Sequence, residues 1–278
     1  MEKILCPIDF SDASLNALEF AVAIGEKNHS QIILVNIFTE ADFDLILEHQ
    51  GVDQEYEELI KVAEMKLQSI SNEINKMSKP KGLKECIYWL KSGKVIDVLN
   101  ECARDEKVDL IVIGATGASN FDKRYIGSKA VSIVENAKCN VLCVPENRNY
   151  EGIDRIVYAT DYQEEDKIAI QLLVLLAQQM GASIDILHIS HHNDTIDKAI
   201  YEDYIREMKA FVDYDKLSFN REVYHHISEG LENYMKKTGS DLLVLLYKRH
   251  DFFENLFRNS LTKHLSNFAD FPFMVMKL

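Results

Sequence analysis

No stretch of ~18 or more consecutive apolar residues occurs in this 278-residue sequence, so no membrane-spanning helix is expected. The amino terminus offers only Ile4-Leu5-Cys6 after Met1-Glu2-Lys3, too short a run for a secretion signal. Positive charge is scarce. The 31 Lys and Arg residues against 45 Asp and Glu leave a formal charge of −14. Such a surface repels phosphate backbones and argues against nucleic acid as a partner. Cysteine is sparse and odd in number, at five. Cys6, Cys86, Cys102, Cys139 and Cys143 each sit in or beside an apolar run, the usage of reduced thiols in a cytoplasmic protein. Cys139 and Cys143 could form a redox pair, but they also flank the apolar strand 140–144, and small core residues are the stronger reading. Tight metal-ligand spacing is missing as well.

What remains is ordinary for a globular chain, with 47% hydrophobic and 27% charged residues. At ~100–200 residues per domain, the length suggests two domains. The sequence repeats itself. Residues 2–37 align without a gap on 154–189, at an offset of 152. Lys3-Ile4-Leu5 matches Arg155-Ile156-Val157, Ile8-Asp9-Phe10 matches Thr160-Asp161-Tyr162, and Ile33 to Ile37 matches Asp185 to Ile189. The ends of the halves match at an offset of 132, so the second copy is 20 residues shorter in its middle. There Val108 to Val112 pairs with Ser240 to Val244, and Val141 to Val144 with Phe273 to Met276. The polar stretch after Pro145 reads as a short linker. It divides the chain into domains 1–147 and 148–278, closely associated.

Each half alternates short apolar runs with helical periodicity. Strands are expected at 3–8, 31–38, 85–90, 109–113 and 141–144. Helices are expected after the capping residues Ser11 to Ser14, over about 54–77, over 95–104, and from Gly127-Ser128 onward. Continuous apolar strands separated by helices predict a parallel sheet covered on both faces.

The fourth strand runs into Gly114-Ala115-Thr116-Gly117, and after nine further residues Gly127-Ser128 opens a helix. In open α/β sheets ligands lie beyond the carboxyl ends of the strands. Glycines let backbone amides approach a phosphate, and a helix N-terminus adds unpaired amides and a positive dipole end. The same glycines could simply make a tight turn and a helix start. Two features favour the ligand. Asp9 stands at the end of the first strand, where a carboxylate can bond a ribose hydroxyl or cap the following helix. Lys123, Arg124 and Lys129 gather cations around the turn, although Lys123 reads as solvent-facing charge.

These residues resemble the universal stress protein family. The glycine spacing of Gly114, Gly117, Gly127 and Ser128, the first-strand segment Cys6 to Ser11 and the second-strand end Val35-Asn36-Ile37 carry the resemblance, which extends over both halves. It implies two tandem Rossmann-like α/β domains of the adenine nucleotide alpha hydrolase-like type, each a five-stranded parallel sheet in the order 3-2-1-4-5. The implied ligand is ATP or another adenine nucleotide, with or without magnesium. Pro7, Ile8 and Ile37 would line the adenine pocket, Asp9 would hold the ribose, and Ile113 would lie at the rim. Gly114, Gly117, Gly127, Ser128 and Lys129 would surround the phosphates. Ala130 departs from members with a hydroxyl there. The family dimerises through the fifth strand, so Val141 to Val144 and Phe273 to Met276 would make that contact within one chain, as a pseudo-dimer. A homodimer of whole chains stays open. With no Walker lysine motif and no general base near the loop, slow ATP hydrolysis is the weaker alternative, and a scaffold without nucleotide the weakest.

The second copy has lost the loop. Leu246, Arg249 and Asn259 stand where the three glycines stood, Ala159 replaces Pro7, and only Asp161 is kept, as a helix cap if nothing else. Its histidines, His188, His191, His192, His225 and His226, lie near strand ends with Lys248, Arg249 and His250. Solvated loop ends, with His188 a core residue, are favoured over a metal or anion site. The aromatic stretch Asp251 to Phe257 is expected to pack on its own domain.

Overall fold

The computed structural model describes residues 1–39, 52–115, 126–191, 195–247 and 270–278. The first half runs β1 (Lys3–Pro7), α1 (Asp12–Asn28), β2 (Gln31–Phe38), α2 (Val52–Ser78), β3 (Glu85–Ser92), α3 (Val95–Glu106), β4 (Leu110–Gly114), α4 (Ser128–Asn136) and β5 (Asn140–Val144). The second half runs β6 (Arg155–Ala159), α5 (Asp166–Met180), β7 (Ser183–Ser190), α6 (Thr195–Phe211), β8 (Leu217–Val223), α7 (Ile227–Thr238), β9 (Leu242–Leu246) and β10 (Phe273–Met276).

Within each half all strand pairs are parallel, in the order 3-2-1-4-5 and its repeat β8-β7-β6-β9-β10. The register repeats too. Lys3 lies opposite Gln31 in one half and Arg155 opposite Ser183 in the other, at the same separation. The shortening of the second half shows in its helices: α2 has 27 residues and its counterpart α6 has 17.

The two sheets are one. β5 and β10 run antiparallel, joining the halves into a 10-stranded sheet, with Phe273 opposite Cys143, Met274 opposite Leu142 and Val275 opposite Val141. Leu142 and Met274 are equivalent positions of the repeat, so this register is the one a two-fold axis between them produces. All six side chains are buried. Parallel strands buried on both faces explain the unbroken apolar runs. Along β1, Ile4 and Cys6 enter the core layer that holds α1 and α5, and Leu5 enters the opposite layer with α3, α4 and α7. Both layers continue across the β5–β10 seam.

The linker lies against α1. Asn16 donates from Nδ2 to the carbonyl oxygens of Pro145 and Arg148, each at 2.8 Å, and Phe20 meets Tyr150 edge-on at 5.1 Å. All five cysteines are free thiols, and burial pushes Cys139 up to about 11 and Cys143 higher still. At neutral pH both therefore stay protonated and poorly nucleophilic. No helix among the described residues is long and apolar enough to cross a membrane.

Candidate functional site

The site is built where β1 and β4, the central strands of the first half, both end. β1 gives way to a turn before α1. Ile8 donates its amide to the Val35 carbonyl at 2.8 Å, and Asn36 on β2 returns a bond from Nδ2 to the Ile8 carbonyl at 2.7 Å. The chain then turns through Phe10, which holds a left-handed φ of 63°. That conformation is costly for a non-glycine residue and persists only where the surroundings impose it. Its counterpart Tyr162 has φ 64°, so both halves keep the same turn.

The turn presents Asp9. Its Oδ1 accepts from the Ser11 amide at 3.0 Å and the Ser11 hydroxyl at 2.5 Å. Partial burial raises the carboxyl, but the bonds from Ser11 and Ser14 and the charge of Lys129 outweigh it and hold the group below its ordinary value. Asp9 is thus a fixed carboxylate. The capping role belongs to Ser11, whose side chain accepts from the Ser14 amide. Ser11 and Asn36 are positioning residues that the sequence reading did not single out for the site. The signal for Asn36 was a lone polar residue inside an otherwise apolar strand.

β4 ends at Gly114, where a side chain would collide with α1. A Cβ there would stand 2.8 Å from the Ala13 carbonyl carbon and oxygen and 2.9 Å from the Ala13 Cβ, at the first turn of α1. This glycine lets two backbones touch. Beyond it, Ala115 donates to Val144 at 2.8 Å, and Gly127 donates to Ala115 at 2.8 Å, which brings the start of α4 back beside the end of β4. Gly127 is the N-cap of α4, with extended backbone and, among the described residues, no side-chain cap bond to the first amides of the helix. Ser128 and Lys129 open the helix, and Lys129 is close enough to Asp9 to act on its ionisation.

The other residues expected at the site are placed as follows. Pro7 ends β1 half-buried, Ile8 is buried below the turn, and Ile37 is half-buried near the end of β2. Ile113 is 3% exposed and packs in the core. Ala130 is buried as well. Thr116, Gly117, Lys123 and Arg124 lie outside the described residues.

In the second half the same place is filled differently. Leu246 replaces Gly114, and α5 starts later in the repeat than α1, at Asp166 with Glu165 as N-cap and no side-chain cap. Asp161 therefore does not cap that helix, contrary to the sequence expectation, because the helix has moved away from it. The turn is held instead by buried Asp166. It accepts from Tyr158 at 2.8 Å, Thr160 at 2.5 Å, Tyr204 at 3.2 Å and the Gln163 amide at 3.2 Å. His188 stands at the position of Asn36 and keeps its bond, Nδ1 lying 2.9 Å from the Thr160 carbonyl oxygen, while its ring stacks on Tyr162 at 4.0 Å. Among the described residues no group of three His, Cys, Asp or Glu side chains is placed to hold a metal. His192, Lys248, Arg249, His250, the stretch Asp251 to Phe257, Asn259 and Ser260 lie outside the described residues.

A doubled α/β sheet, a fixed carboxylate after the first strand and a glycine-opened fourth helix set the frame for comparison. The sequence profile of the universal stress protein family matches residues 1–145 and again 152–277. The chain belongs to the universal stress protein family. Its known relatives include a universal stress protein of Methanocaldococcus jannaschii, 29% identical over 143 residues, covering 51% of this chain and 81% of the relative. A second, from Synechocystis, is 25% identical over 153 residues, covering 51% of this chain and 96% of the relative. Each of these relatives therefore matches about half of this chain. A solved universal stress protein from Archaeoglobus fulgidus matches the whole chain: TM-score 0.75, 17% identity, covering 99% of this chain and 98% of that one. At that identity the likeness speaks for the shared tandem fold.

Proposed function

We propose that the first half binds one adenine nucleotide, ATP in the first instance, and that the chain is a stress-response regulator whose second half completes the assembly without a competent phosphate loop. The observation that supports this most is the convergence of Asp9, Lys129 and the N-terminus of α4 at the carboxyl ends of the central strands. A carboxylate held ionised suits two ribose hydroxyls, and helix amides beside a lysine suit a phosphate chain. In this reading Pro7, Ile8 and Ile37 receive the base, and Gly114, Gly117, Gly127, Ser128 and Lys129 surround the phosphates. Magnesium, when present, would have Asp9 and Ser128 for protein ligands, a thin set. The proposed activity is binding, in which nucleotide shifts the population toward one state, with slow hydrolysis the alternative. One family member was solved in complex with cAMP, so a cyclic nucleotide is the natural competitor to test. The domain division at 147–148 and the reading of the β5–β10 seam as an intrachain counterpart of a dimer contact belong to the same proposal.

The test is mass spectrometry of nucleotide released from heat-denatured protein, with its stoichiometry, on wild type and Gly117→Arg. The expected result is one adenine nucleotide per wild-type chain and none from the variant, whose melting curve stays cooperative. Two per chain would mean that the second half also binds. None, with no thermal shift on adding ATP or cAMP, would remove the nucleotide reading.

A further inference from the structure

Helix α5 carries an apolar stripe that its counterpart α1 does not leave open. At the repeat offset, Asn16, Phe20 and Ala23 of α1 become Ile168, Leu172 and Leu175 of α5. The interior faces of the two helices agree: Ala17 and Ala169 are fully buried, as are Ala21 and Leu173. The outer stripes do not. Phe20 is 3% exposed because the linker covers it through Tyr150, whereas Leu172 is 46% exposed, Ile168 53% and Leu175 60%. These three large aliphatic side chains stand in line on the outer face of one helix.

What the stripe fits follows from how α1 is covered. The linker turns over α1, the Arg148 amide bonding the Pro145 carbonyl, and Asn16 donates to the carbonyls of both residues. With Ile168 in place of that asparagine, a turn or loop laid on α5 would bring carbonyls against an apolar side chain with no donor, a costly arrangement. A helix bonds its own backbone and carries no such cost. The stripe also lacks charge. From Ile168 to Met180 there is no Asp, Glu, Lys or Arg, and its polar neighbours are Gln171, Gln178 and Gln179. Amides donate and accept, so they complement themselves across a two-fold axis as neither carboxylates nor ammonium groups do. In a chain of formal charge −14, a neutral strip is where two copies approach without repulsion.

We propose that α5 is a self-association surface, pairing antiparallel with α5 of a second chain about a two-fold axis at Leu172, with Ile168 of one chain against Leu175 of the other. Three half-exposed side chains per chain fall well short of the ~1,200–2,000 Å² of a durable interface, so the pair forms and parts readily with concentration. It is separate from the β5–β10 seam inside the chain and independent of nucleotide.

The test is sedimentation velocity of the full-length chain over a series reaching ~1 mM, where a weak pair is populated. Wild type is expected to shift from monomer to dimer, and Leu172→Glu to weaken association at least ~10-fold by setting two carboxylates face to face. Leu172→Cys is expected to cross-link two chains under mild oxidation, while Phe211→Cys at the equally exposed end of α6 is not. Because Leu172 is half exposed, both variants keep the wild-type far-ultraviolet dichroism. A chain that stays monomeric throughout overturns the proposal and leaves the stripe to a different protein. A dimer that Leu172→Glu does not weaken, or a series of species larger than a dimer, overturns it too.

Discussion

Gly114 shows how one residue serves packing and site together. Its missing Cβ is needed because the Ala13 backbone and side chain lie within 2.9 Å of where that atom would be. Adding a methyl group moves α1 against β4, and overpacking of this kind costs on the order of 1–3 kcal/mol. Gly114→Ala is therefore expected to lower the midpoint of denaturant unfolding while leaving the slope unchanged. The second half supports the cause. Its Leu246 coexists with a helix that starts later, so side chain and helix start have changed together. A variant as stable as wild type would mean that α1 yields without cost. Asp9 is the second residue at this scale. Asp9→Asn keeps the shape but loses the charge, and a neutral amide no longer accepts at both oxygens. Nucleotide affinity is expected to fall about tenfold or more, the loss of one charge-assisted bond, by isothermal titration. The melting temperature should fall as well, because Ser11 loses its strong acceptor.

At the scale of elements, the repeat made most of the fold legible. Parallel pairing and the helix positions follow from apolar runs separated by helical periodicity and repeated at fixed offsets, whereas the strand order followed from the family resemblance. What the sequence concealed were side-chain pairings between distant residues. Asp185 on β7 is 3% exposed and is held by Ser218 at 2.6 Å, Tyr234 at 3.1 Å and Arg155 at 3.1 Å. The equivalent of Asp185 in the first half is Ile33, and the equivalent of Tyr234 is Cys102, both apolar and buried. No local pattern announces that swap, because its partners meet only once β6, β7, β8 and α7 are in register. The Asp166 cluster has the same character. Burial raises its carboxyl, and the bonds from Thr160, Tyr158, Gln163 and Tyr204 only partly offset this. Asp166→Asn puts an amide donor among groups that already donate. The expected loss is about 1–3 kcal/mol of unfolding free energy, with nucleotide binding in the other half retained. If binding fell along with stability, the halves would be coupled more tightly than separate clusters suggest.

At the scale of the whole molecule, the halves are joined by strand pairing and by the residue that follows it. Lys277 donates its amide to Asn140 at 2.9 Å and its Nζ to the carbonyls of Val134 and Glu135, at 2.7 and 3.2 Å. It thereby closes the C-terminus of α4, the helix whose N-terminus opens on the candidate site, from the far side of the seam. The same Nζ lies 3.7 Å from the centre of the Tyr247 ring. Burial lowers its ionisation from 10.5 to about 8, with Lys138 adding repulsion and Cys139 and Glu135 opposing it. The sign follows from proton counting. Below about pH 8 the lysine is charged in both folded and unfolded chains, and the burial cost is fully present. Between about 8 and 10.5 the unfolded chain holds a proton that the folded chain has released, so the contribution of Lys277 to stability rises with pH. Lys277→Met removes this dependence. The unfolding free energy of wild type relative to the variant is expected to improve from about pH 7 to about pH 9.5 in urea titrations. A difference that stays flat would place the ammonium in water and remove the burial cost assigned to it.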